Sequence, residues 1–331
     1  MSIALEVFLL VIGFTLTIKG SDVFVDTATR IATAARIPKF IIGATLVSVA
    51  TTLPEIFVSL FASLQGSPSM AFGTSVGSVI ANLCVMIALS FIYMPTIFKR
   101  LDYIHESILL LLSVGVLCYC AFTREIGAVS AIMFLFIFAL FIMQNIRTAY
   151  SNTVPDVFKF KSQEEEDREA KILKRRNHAL DFLKFFLSAA FMILGSQLIV
   201  YNGAEIAKVA GLSERVISTT VIALGTSLPE FATAIAAFSK KQSSVSFGNI
   251  IGANVIDLSL ILPLTTLISG GSIALSWEQA GIDITICAVV TLLTLVPYFI
   301  TKRFMRWQGA LLVCIYLAYF SITFGWITVT I

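Results

Sequence analysis

Val221-Ile-Ala-Leu-Gly-Thr-Ser-Leu-Pro-Glu230 is the stretch on which the reading of this chain turns. It lies in a long apolar segment and ends in a proline and a carboxylate. A proline inside a helix removes the hydrogen bond to the residue four back and clashes with that carbonyl. Pro229 therefore frees the carbonyl of Gly225 and breaks the helix. Thr226 and Ser227 stand four and three residues before Glu230, on the same helical face. The outcome is a set of hard oxygen donors around one negative charge, an environment suited to Ca²⁺ or Na⁺.

The device occurs twice. Val49-Ala-Thr-Thr-Leu-Pro-Glu55 matches the stretch ending in Glu230, and the two glutamates stand 175 positions apart. The same spacing pairs Thr45 with Thr220, Ala62 with Ala237, Phe72 with Phe247, Gly73 with Gly248, Gly77 with Gly252 and Leu83 with Leu258. Upstream it pairs Gly20-Ser21 with Gly195-Ser196 and Val25 with Val200. An ungapped correspondence of this length marks two copies of one unit.

Composition sets the solvent. Of 331 residues, 57% are hydrophobic and 13% charged, against about 25% charged in ordinary soluble domains. Mean hydropathy is +0.92. This is the composition of a polytopic membrane protein. The net charge of +3 gives no reason to expect nucleic-acid binding, and no protein partner is implied; membrane lipid and metal cations are the expected partners. Ten apolar segments follow, at 3–28, 39–64, 70–97, 104–122, 126–147, 182–207, 215–239, 245–269, 279–300 and 307–329, each near the ~20 residues needed to span. The N-terminus lacks the basic region of a cleaved signal peptide, so the first segment is read as a retained helix. The expected fold is an all-α membrane protein of ten transmembrane helices in two inverted five-helix repeats, at 1–147 and 182–331. A polar loop at 148–181 separates them and contains Glu164-Glu-Glu-Asp167 and Lys174-Arg-Arg176. The acidic run is read as a solvated loop. Cys84, Cys118, Cys120, Cys287 and Cys314 are read as buried small hydrophobes, and His105 and His178 as interfacial. Lys19 is expected to snorkel to the inner interface.

Positive charge sets orientation. With the N-terminus outside, cytoplasmic connections carry Arg30, Arg36, Lys39, Lys99, Arg100, the basic middle loop, Lys240, Lys241, Lys302, Arg303 and Arg306. Both termini are then outside and the middle loop is cytoplasmic, in a multi-pass plasma or inner membrane. Five spans per unit is odd, so the second copy enters from the opposite side. Glu55 and Glu230 approach the midplane from opposite faces, as in transporters built from inverted repeats with broken helices.

The segment after each proline motif is polar on one face. It reads Gly73-Thr-Ser-Val-Gly77-Ser78-Val-Ile-Ala-Asn82 in the first copy and Gly248-Asn-Ile-Ile-Gly252-Ala253-Asn254-Val-Ile-Asp257 in the second. The paired glycines are small-xxx-small motifs that admit close helix packing. Ser78 and Asn82 share a face, as ligands or as interhelical glue. The hydroxyls near the breaks serve as ligands or cap freed carbonyls. Glu55, Glu230 and Asp257 place three carboxylates at membrane depth, where an Asp costs roughly 2.5–3.5 kcal/mol on insertion scales. No Lys or Arg lies at matching depth, so a bound cation or shared protons must compensate.

Gly225-Thr-Ser-Leu-Pro-Glu230 with Gly248-Asn-x-x-Gly252-x-Asn254-x-x-Asp257, the first copy around Glu55, and Lys19-Gly-Ser-Asp22 together resemble the cation/calcium exchanger superfamily, in its prokaryotic-type sodium/calcium exchanger branch. The resemblance implies four cation sites in a diamond between helices 2, 3, 7 and 8. It implies Glu55 and Glu230 as main calcium ligands assisted by Thr51 and Thr226. Thr52, Ser227 and Ser78 would serve sodium, Asn82 and Asp257 would flank the centre, and the carbonyls of Ser48 and Ala223 would complete the outer positions. The implied function is secondary antiport of Na⁺ against Ca²⁺, the cations being cargo and no cofactor being required. A cation/proton antiporter on the same fold is the alternative. An aspartate at the position of Asp257 also leaves K⁺ co-transport open. Ala50 stands where the family has glycine, Thr74 and Val79 where it has asparagines, and Ala253 where it has a sodium-ligating serine. The missing hydroxyl should weaken or remove one sodium site. A channel is disfavoured by the inverted repeats around a charge-dense centre. An enzyme is disfavoured because no Ser/His pair, HExxH or paired-aspartate pattern is found.

Overall fold

The computed structural model describes residues 3–35, 37, 39–93, 100–151, 178–209, 211, 223–240, 243–301 and 305–323. Ten helical spans run through them. The first is α1, Ile3–Ala35. It stops short of Pro38, whose ring pushes the preceding residue out of the helical region. The second span is broken into α2, residues 39–51, and α3, Leu53–Leu64. Then come α4, residues 68–93, α5, Arg100–Thr123, and α6, Ala128–Ser151. The second half repeats this order with α7, His178–Val209, the broken pair α8, Ala223–Thr226, and α9, Leu228–Ser239, then α10, residues 243–268, α11, Trp277–Thr301, and α12, Arg306–Thr323. Seven of these helices are long and apolar enough to cross a membrane alone, and 43–51 with 53–64 makes an eighth, bent by 49°. The α8/α9 pair, interrupted at Ser227, repeats that break, and the 18 residues of α12 complete the ten.

Several expectations fall partly or wholly outside the described residues: the acidic and basic runs of the middle loop, the start of the seventh segment including Val221 and Ile222, and the ends of the third and tenth. Others are corrected. The first helix continues to Ala35, beyond residue 28. The fifth begins at Ala128 because Glu125–Ile126 (β1) pairs antiparallel with Ile273–Ala274 (β2), Glu125 opposite Ala274 and Ile126 opposite Ile273. This two-residue ladder ties the α5–α6 connection to the α10–α11 connection, one from each half. Cys84, Cys120 and Cys287 are buried, but Cys314 is exposed. His105 and Lys19 are exposed.

Burial separates a centre from a periphery. In α4 and α10, 78% and 83% of the spanning window is buried, against 22% in α1 and 39% in α7. The main apolar core joins Val76, Ile80 and Leu83 of α4 to Leu110 of α5, Phe134 of α6, Ile251 and Leu258 of α10, and Cys287 of α11. A second cluster, with Phe24, Ala28, Phe185 and Met192, fastens α1 to α7. There the Phe24 and Phe185 rings stack with centroids 4.5 Å apart, and Arg30 Nε lies 3.1 Å from Asp181 Oδ1. Lipid supplies no hydrophobic drive between helices, so this contact rests on packing. α1 and α7, the first helices of the two halves, thus form one layer against the central bundle.

Candidate metal centre

The breaks follow from the prolines. Pro54 and Pro229 lie in the first turns of α3 and α9, where a missing N–H is tolerated. The chain turns at Thr52 and Ser227, with nearly equal backbone angles: φ −79°, ψ −1° and φ −83°, ψ 5°. The carbonyl freed by Pro229 is taken up: Ser196 of α7 donates to the Gly225 carbonyl at 2.6 Å. Its repeat counterpart Ser21 donates instead to Ile18 of its own helix, at 2.8 Å. Gly225 permits the closer approach, since a Cβ there would meet Val200 Cγ2 at 2.5 Å. Ala50 carries that methyl in the first half.

Each break carries a hydroxyl to the carboxylate of the other half. Thr52 Oγ1 donates to Glu230 Oε1 at 3.1 Å. Ser227 Oγ donates to Glu55 Oε1 at 2.9 Å and lies 3.0 Å from Ser78 Oγ, which it can accept from. Thr52–Glu230 and Ser227–Glu55 are images of one another under the 175-residue spacing. Glu55, Glu230 and Asp257 are each 1% exposed and lie within electrostatic reach of one another. They do not form a three-acid metal cage among the described residues; hydroxyls and amides fill the spaces between them.

The helices after the breaks bring the amides. A Cβ on Gly252 would sit 2.5 Å from the Ala44 carbonyl oxygen and 2.8 Å from Ser48 Oγ, and one on Gly43 would collide with the Val245 carbonyl oxygen. α10 therefore crosses α2 backbone to backbone. That crossing sets Thr51 Oγ1 3.0 Å from Asn249 Oδ1, a bond it donates. Gly73 departs from expectation, because a Cβ there would meet nothing within 4 Å. Asn82 Nδ2 donates to Asn254 Oδ1 at 2.9 Å. Asn82 and Asp257 open equivalent wide π-helical turns, Asn82–Ile87 and Asp257–Ile261, a feature frequent at functional sites.

Thr226 is buried. The Ser48 carbonyl accepts from the Thr52 N–H at 2.9 Å and lies 3.3 Å from Thr51 Oγ1. Ala223 begins α8. Asn249 and Asn254 lie in the motif after the second break, where spacing alone assigns them no role; the structure places them as partners of Thr51 and Asn82. Their value is hidden in sequence because the counterparts of Asn249 and Asn254 are Thr74 and Val79; the valine cannot reproduce the Asn82–Asn254 bond, and Thr74 is not an amide.

Four buried acceptor oxygens at this centre have no donor among the described residues: Glu55 Oε2, Glu230 Oε2, Asp257 Oδ1 and Asn82 Oδ1. Among the described residues no Lys or Arg pairs with the three carboxylates. Uncompensated buried charge is expensive, whereas a hard cation accepts such oxygens as ligands.

The fold and site define a class: a polytopic membrane protein of two inverted five-helix repeats, with broken helices meeting at a buried carboxylate centre. The profile of the family described as "Sodium/calcium exchanger protein" matches residues 5–147 and 180–325, and the chain belongs to that family. Inner membrane protein YrbG of Escherichia coli K12 is 31% identical over 269 residues, 80% of each chain. Sodium/calcium exchanger MaX1 of Methanosarcina acetivorans is 27% identical across 97% of this chain and 99% of its own. Among solved structures, the sodium-calcium exchanger NCX_Mj soaked with 2.5 mM Na⁺ and 0.1 mM Ca²⁺ superposes with a TM-score of 0.76 at 24% identity, covering 96% of this chain and 97% of its own.

Proposed function

We propose that this protein is a secondary antiporter that exchanges Na⁺ for Ca²⁺ by alternating access. The observation that carries the reading is the set of four donorless oxygens in a 1%-exposed centre. Glu55 and Glu230 are the main calcium ligands, with Thr51 and Thr226 assisting. Thr52, Ser227 and Ser78 hold sodium, while Asn82 and Asp257 flank the centre. The carbonyls of Ser48 and Ala223 complete the outer positions, Ser48 by exchanging an intrahelical donor for the ion.

Exchange follows from electrostatics. An empty centre carries negative charge that the low-dielectric barrier penalises. One Ca²⁺, or several Na⁺, neutralises it and lets the site change sides. The names of MaX1 and NCX_Mj support Na⁺ and Ca²⁺ as the ion pair. The charge bias of the connections supports outside termini and a cytoplasmic 148–181 loop between repeats at 1–147 and 182–331. The protein is then placed in a plasma or inner membrane.

The test is radioactive calcium uptake into sealed vesicles with imposed Na⁺, K⁺ or H⁺ gradients. Uptake driven by outward Na⁺ is expected. Uptake that survives sodium removal and follows a pH gradient would reassign the protein to cation/proton antiport.

A further inference from the structure

The carboxylate centre uses none of the charged groups where α1 meets α9. Lys240 follows the last residue of α9 and reaches across to α1. Its ammonium donates to the Asp22 carbonyl. It lies 3.0 Å from Asp26 Oδ1 and 3.8 Å from Asp22 Oδ1. Asp22 and Asp26 are four residues apart and so share a face of α1. Between the same two helices lies a cavity of about 280 Å³, lined by Phe14, Ile18, Ser21, Phe231, Ala232 and Ala236 among others. Side-chain packing leaves that stretch of the α1–α9 contact open, and the charge contact spans it at one end.

The repeat supplies an internal control. The counterparts of Lys240, Asp22 and Asp26 are Gln65, Gln197 and Tyr201, which cannot form an ion pair. One end of the molecule has the contact, and its image lacks it. The contact is also suited to opening. The side chains of Asp22 and Asp26 are 48% and 51% exposed, and pairs so exposed are weak enough to break in every cycle.

We propose that Lys240, Asp22 and Asp26 form an ionic latch. It holds α1 against α9 and biases the protein away from the orientation that opens at that end, the cytoplasmic end in the proposed topology. The inference rests on the alternating-access reading above.

The test compares wild type with K240Q and with the charge-swapped double variant D26K/K240D. Removing the latch enlarges the fraction of molecules open at that end. Apparent affinity scales with the competent fraction. K240Q should therefore tighten apparent Ca²⁺ affinity on the latch side and weaken it on the other, each severalfold, and the swap should restore both. Shifts in one direction on both faces, or none, would overturn the latch. A second readout needs no transported ion. A cysteine at Ala236, which is buried against the cavity, is labelled with a membrane-impermeant maleimide in vesicles exposing that end. Labelling above the parent protein should rise severalfold with K240Q and fall back with the swap; equal rates also sink the proposal. A wild type that moves no calcium under any gradient would defeat the exchange reading, while the labelling still judges the latch.

Discussion

A carboxylate in apolar surroundings is held there by what it touches, and Glu55 accepts from the hydroxyl of Ser227. Glu230 takes Thr52 and is also hydrogen-bonded by Thr51. Each has a second oxygen with no donor among the described residues. Glu230→Gln removes that charge while its amide oxygen can still accept from Thr52. Calcium binding, measured by isothermal titration on purified protein, should weaken at least tenfold, about 1.4 kcal/mol, with the thermal midpoint of the ion-free protein preserved. Full binding by the variant would remove Glu230 from the centre. Ala253, buried in α10, stands where relatives by resemblance carry a serine. Ala253→Ser should raise apparent sodium affinity severalfold in flux assays and leave calcium affinity nearly unchanged. An unchanged sodium dependence would argue against a sodium position there. The two acids and their hydroxyls were legible because the motif is written twice. The bonds from Thr51 to Asn249 and from Asn82 to Asn254 were not, since they cross between halves at positions where the copies have diverged.

At the scale of helices, close packing concentrates at a few places. Gly252→Ala would drive a methyl against the backbone carbonyl of Ala44. Overpacking of this kind costs roughly 1–3 kcal/mol, and it would also pull Asn249 from Thr51. Gly73→Ala has open space and should gain up to about 1 kcal/mol from helix propensity. Thermal melts of the two variants in detergent should move in opposite directions; a shared sign would refute the crossing. Ser196→Ala leaves the Gly225 carbonyl without its donor at a cost of about 1–3 kcal/mol, again read as a fall in melting temperature, whereas Ser21→Ala should cost much less. Sequence announced the helix breaks through Pro54 and Pro229. It gave no sign of the β1–β2 ladder, because two residues are too few for a strand pattern. The π turns were equally silent: their residues are apolar apart from Asn82, Asp257 and Ser259, and no local propensity separates a π turn from α.

For the whole molecule, the centre exists only when both halves are in place, so ion binding and global stability are coupled. A ligand at a hundred times its Kd stabilises the native state by about 2.7 kcal/mol. Calcium should raise the melting temperature of the wild type by a saturable increment, and the Glu230→Gln variant should lose most of it; equal shifts in both would assign the effect to the protein surface. The hydroxyl that reaches Glu55 comes from residue 227, and the strand that pairs with Glu125–Ile126 comes from 273–274. During synthesis the first five spans, complete at Ser151, therefore leave the ribosome with an orphaned glutamate until residue 227 has been made and an unmatched edge until residue 274 has been made. Biogenesis of this protein has an obligatory waiting period, and its dependence on membrane insertases and quality-control proteases should be concentrated there.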